Sequence, residues 1–101
     1  MTDRELLELA AKSIGRTIRY NYLGGMDAND PWNPLKDDGD AFRLAVEHGL
    51  YLEIDRPNQR ARALPELDEM EFSSEPFKDD RCSAMRRAIT RAAAKIGKEM
   101  K

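Results

Sequence analysis

The chain has 101 residues, 41% hydrophobic and 36% charged, with a net charge of −2. That length suits one domain, 1–101, with one modest core, and a charged fraction well above the usual value of about a quarter requires a densely ionic surface. The near-neutral balance excludes a strongly basic nucleic-acid binder and a heavily acidic DNA mimic, and the lone Cys82 excludes an internal disulfide or a thiol pair for metal.

Met1–Glu5 has neither a basic n-region nor an apolar h-region, and no apolar run approaches the roughly 20 residues that span a bilayer. A cytosolic protein without membrane contact is expected.

The spacing predicts a first helix over Thr2–Ile14. Thr2 and Glu5 fit a capping box, Leu6, Leu7, Ala10, Ala11 and Ile14 form one stripe, and Gly15 supplies a left-handed stop. From Arg16 to Leu23 the period becomes two, with Ile18, Tyr20 and Tyr22 on one face of an expected strand. Gly24-Gly25 ends it. Met26–Lys36, with Pro31, Trp32 and Pro34, reads as an ordered loop whose Trp32 and Leu35 dock on the core.

A second helix is expected from Asp37 or Asp38 to His48. Its stripe is Ala41, Leu44, Ala45 and His48, widened by Phe42 and Val46, and Gly49 closes it. Leu50, Leu52 and Ile54 then alternate as a strand, Asp55–Gln59 turns the chain, and Arg60–Leu64 returns as its partner. In Pro65–Asp80, Leu67, Met70 and Phe72 suit a short edge strand or a loop strapped across the sheet. The last helix is capped by Asp79 or Asp80 and carries a narrow stripe of Met85, Ala88, Ile89, Ala92, Ala93 and Ile96. The expected fold is α+β: a small antiparallel or mixed sheet of three or four strands packed with three helices.

Charge is sharply divided. Pro65–Asp80 holds seven acids against Lys78, a net −6, while 81–101 holds seven cations against Glu99, a net +6. The acidic residues Glu66, Asp68, Glu69, Glu71 and Glu75 suit a protein partner with a basic patch, approached by electrostatic steering. Arg86, Arg87, Arg91, Lys95 and Lys98 suit the phosphates of a nucleic acid. The competing reading is that the two segments neutralise each other within the chain.

Asp37, Asp38 and Asp40 lack the EF-hand spacing, and capping explains all three. His48 has no designated catalytic partner, and Cys82, in a helix's first turn, belongs to no motif. Trp32, Tyr20, Tyr22 and Tyr51 suit base stacking, although alternation turns Tyr20 and Tyr22 towards the core. The sequence contains no P-loop, Rossmann glycine pattern, His-Glu zinc motif or nucleophile elbow. A non-enzymatic protein with no metal and no cofactor is expected.

Trp32-Asn-Pro-Leu-Lys-Asp-Asp-Gly-Asp-Ala-Phe-Arg-Leu-Ala-Val-Glu-His-Gly-Leu50 resembles small bacteriophage and prophage proteins of the phage α-β-α sandwich type. Those proteins place a Trp/Phe-x-Pro loop before an acid-capped helix that ends in glycine and leads into a strand. Asp80–Ala94 resembles their alanine-rich last helix. The resemblance covers residues 32–54 and 79–96, and Glu66–Phe77 departs from the pattern. It brings no catalytic residues. What it implies is a phage accessory protein in the host bacterial cytoplasm that binds a host protein or protein complex, with an antiviral defence complex as one such target. A nucleic-acid-binding regulator using the basic helix is the alternative. Self-association is also open, because a narrow alanine stripe can pack against another copy.

Overall fold

Helix starts follow directly from capping chemistry. In the computed structural model, which describes residues 1–18, 31–65, 73–78 and 80–100, helix α1 (Asp3–Ser13) begins after Thr2. The Thr2 hydroxyl accepts from the Glu5 amide at 3.2 Å and donates to the Glu5 carboxylate at 3.1 Å. Helix α2 (Asp38–His48) is capped by Asp37, whose carboxylate accepts from the Asp40 amide at 2.8 Å. Helix α3 (Arg81–Glu99) is capped by Asp80, which accepts from the Cys82 amide at 2.9 Å. Each cap satisfies an amide that the helix leaves without an intrahelical acceptor.

The helix ends are equally local. Gly15 at φ +69° and Gly49 at φ +63° occupy the left-handed region, where a Cβ would be strained. The next amide then bonds back five residues, Arg16 to the Ala11 carbonyl and Leu50 to that of Ala45, both at 2.9 Å. This is the Schellman arrangement, and it turns each chain end back over its helix.

Three antiparallel strands follow α2: β1 (Tyr51–Asp55), β2 (Arg60–Leu64) and β3 (Ser73–Pro76), in the order β1-β2-β3. β3 lies a few residues beyond the Leu67–Phe72 segment that suited an edge strand. That segment, and Arg19–Leu23 of the strand expected over Arg16–Leu23, lie outside the described residues, whereas Arg16–Ile18 are not in a strand. The register sets Leu52 opposite Ala63 and Ile54 opposite Ala61, with Ser73 and Glu75 continuing the same face. The other face carries Tyr51, Glu53, Asp55, Arg60 and Arg62, with Arg62 held to Glu53 at 2.7 Å and to Asp55 at 3.1 Å.

α3 is the central element. It packs on β2 and β3 on one side and receives α1 and α2 on the other. Its burial is therefore broader than a narrow stripe, taking in Ala84, Thr90, Ala94 and Gly97 besides the expected alanines and Ile89. Small side chains permit this, because they let neighbouring backbones approach on several sides. At Gly97 the approach is extreme, and a Cβ there would lie 1.9 Å from the Leu9 carbonyl oxygen. The main core joins Leu7, Trp32, Leu44, Ala63, Ile89 and Ala92, with Met85 bridging to a second cluster around Phe77. Trp32 docks as expected, with the Arg16 guanidinium over its ring at 5.6 Å.

Candidate functional site

The charged candidates divide into described and undescribed groups. Glu66, Asp68, Glu69 and Glu71 lie outside the described residues. Glu75 is described, and it is only 8% exposed. Strand alternation puts it on the α3-facing side of β3, in line with Ala61 and Ser73. Its carboxylate meets Arg87 Nε and Arg91 Nη1, each at 3.1 Å, while Arg87 also reaches Asp3 at 3.0 Å. A buried carboxylate needs such partners, since an unpaired one would carry a large desolvation penalty.

Arg86 is a second internal clamp. Its Nε donates to the Leu35 carbonyl at 3.0 Å, and Nη1 binds Asp38 at 2.6 Å, fixing the Trp32 loop and the start of α2 to α3. The acidic and basic blocks thus meet inside the molecule at Glu75. Of the basic helix, Lys95 and Lys98 remain on the exposed side, and with Arg87 and Arg91 they border a groove of about 420 Å³ beside Met1 and Leu6.

The aspartates at the start of α2 have structural partners. Asp37 caps, Asp38 binds Arg86, and Asp40 accepts from the Asn33 amide at 2.8 Å. Among the described residues, no group of three or more His, Cys, Asp or Glu is placed to hold a metal ion.

His48 lies 2.8 Å from Ser13 Oγ, joining the C-terminal ends of α1 and α2. With Ser13 donating to the Ala10 carbonyl, its oxygen is left to accept from His48 in the tautomer that carries the proton on Nε2. Nucleophilic catalysis needs the reverse polarity, with the imidazole nitrogen accepting the serine proton. Burial holds the His48 pKa below its ordinary value, and the negative Glu47 only partly opposes this. Cys82 is exposed. Trp32 is buried while Tyr51 is exposed, so these two offer no common stacking surface; Tyr20 and Tyr22 lie outside the described residues.

The surface feature that sequence reasoning missed is apolar. Phe42 (64% exposed) and Val46 (63%) stand on the outer side of α2, and Tyr51 (59%), Leu52 (43%) and Ile54 (50%) stand on β1. α2 packs on α3 through Ala41, Leu44 and Ala45, which turns Phe42 and Val46 to solvent and not into the stripe. β1 is open because α3 packs on β2 and β3. A continuous groove of about 330 Å³ joins Phe42 and Val46 to Leu50 and Leu52.

No family model matches the chain, and no curated protein or solved structure is similar enough to be counted as related.

Physical chemistry therefore has to choose among these surfaces. Scattered exposed apolar residues are ordinary, but a contiguous set on adjoining elements marks a contact face. Among the described residues, no helix is long and apolar enough to cross a membrane. The α2–β1 face is the candidate site.

Proposed function

We propose that this chain is a non-enzymatic accessory protein that acts by binding other macromolecules, with α2 and β1 as its protein-contact face. The observation that carries this reading is the contiguous exposure of Phe42, Val46, Leu52 and Ile54, set against the internal pairing of Glu75, Arg86, Arg87 and Arg91. Interface cores are rich in aromatic and aliphatic anchors with charge towards the rim, and here Phe42, Val46, Leu52 and Ile54 are flanked by Arg43 and Glu47. The block that resembles phage proteins, residues 32–54, is also the block that builds the face. That resemblance points to work in a host bacterial cytoplasm on a host macromolecule, an antiviral defence complex being one target of this kind.

The test is photo-crosslinking in bacterial cells with p-benzoylphenylalanine replacing Phe42 or Leu52. A discrete protein adduct from both positions, and none from Lys36, is expected. No adduct from either position would sink the reading.

A second reading has one observation behind it, the groove where Arg87, Arg91, Lys95 and Lys98 gather. Binding of nucleic acid there would weaken steeply with salt, by about one log-log unit per phosphate contact. An unshifted gel at low salt ends that reading.

A further inference from the structure

The two edges of the sheet are treated differently. β3 is four residues long and ends in Pro76, which has no amide to offer, and its inward Glu75 is buried against α3. Short length, proline and an inward charge are the devices that stop an edge from pairing with another chain. β1 has none of them. Its sequence, Tyr-Leu-Glu-Ile-Asp, contains no proline or lysine, and both acids are turned to the outer face and engaged by Arg62. Among the described residues β1 pairs with β2 alone, so no described strand lies on its other edge, beside exposed Leu52 and Ile54.

The neighbouring face of α2 is self-complementary in charge. Arg43 and Glu47 are both exposed, four residues apart and next to Phe42 and Val46, and neither has an ion-pair partner among the described residues. Two such helices packed antiparallel about a two-fold axis set Arg43 of each against Glu47 of the other. The same axis brings Phe42 and Val46 of the two copies side by side, offset along the helices by about one half-turn from direct opposition. A two-fold axis normal to the sheet also preserves the faces of β1. Leu52 and Ile54 then meet the same residues of the second strand, and the polar residues meet polar residues.

We propose that a second copy of this chain closes the α2–β1 face, with β1 paired edge to edge as the centre of a continuous six-stranded sheet. This rests on the reading of that face as a protein-contact surface and names its occupant.

The test is molar mass by light scattering across a concentration series. The wild-type mass should rise from the 11.5 kDa of one chain to twice that value. Arg43→Glu and Glu47→Arg each create like-charge contacts and should weaken the dimer roughly tenfold or more. An equimolar mixture of the two variants should regain the double mass, because every contact is again between opposite charges. Both sites are exposed, so unchanged circular dichroism and a cooperative melt that matches the wild type at concentrations where both are monomeric establish that the variants fold. A wild-type mass that stays at one chain overturns the proposal, as does a dimer indifferent to the reversals or a mixture that stays monomeric. Adducts from Phe42 to other proteins, with a monomeric wild type, would remove the second copy and leave the contact-face reading intact. No adduct at all would remove both.

Discussion

Replacing Gly97 with alanine tests the packing that organises the whole molecule. In an exposed helix this change stabilises by about 1 kcal/mol, because glycine loses more backbone freedom on folding. Here the added Cβ would lie 1.9 Å from the Leu9 carbonyl oxygen and 2.9 Å from the Leu9 carbonyl carbon. Heavy atoms in contact prefer about 3.5 Å, so α1 and α3 must part by about 1.5 Å at this crossing. The obstacle is main chain, which cannot rotate aside as a side chain can. Overpacking of a well-packed site costs about 1–3 kcal/mol, and a backbone clash belongs at or above the upper end. Less the propensity gain, a net loss of about 2 kcal/mol is expected. In urea, followed by Trp32 fluorescence, a slope of about 1–2 kcal/mol/M turns that loss into a midpoint lower by about 1–2 M. Gly39→Ala is the control. Its Cβ meets only the Asp37 carboxylate, a side chain that can shift, at 3.2 Å, so the midpoint should stay level or rise with the propensity gain. A higher midpoint for Gly97→Ala would refute the close α1–α3 contact.

Three further outcomes are expected. Glu75→Gln should destabilise by about 1–2 kcal/mol, read as a lower melting temperature, because Arg87 and Arg91 lose their shared anion but can still hydrate. Arg86→Lys should destabilise measurably despite keeping the charge, since an ammonium cannot reach Leu35, Asp38 and Asp80 with one planar fork. His48 binds protons less readily folded than unfolded, so the unfolded chain takes up more protons as pH falls through its ordinary value of 6.5. Stability should therefore drop below about pH 6.5 and flatten once the folded histidine also titrates. His48→Gln should remove that step from a melting-temperature profile, and a variant that keeps it would place its origin elsewhere.

Capping and termination were legible because they depend on a few adjacent residues. Thr2, Asp37 and Asp80 begin the helices, Gly15 and Gly49 close the first two, and the alternation of Arg60–Leu64 marks β2. The placement of Trp32 in the core was legible too, since a tryptophan between prolines has little else to do. What periodicity could not give was which element covers which. Phe42 and Val46 look like members of a wide stripe until α3 is known to meet only the Ala41–Leu44–Ala45 side of α2. Likewise Leu52 and Ile54 look buried until α3 is known to lie over β2 and β3. Glu75 was hidden for a different reason. A four-residue strand in an acidic stretch carries too little alternation to show which acid faces inwards. The signal available was the hydrophobic excess of α2, which has more apolar positions than one stripe can hold.

The most direct measurement is amide hydrogen exchange of Tyr51–Asp55 against Arg60–Leu64 over a range of protein concentrations. Closure of the α2–β1 face by a second copy predicts that the outward β1 amides slow as concentration rises, while β2, already paired on both sides, stays constant. Exchange in β1 that is fast at every concentration would contradict it.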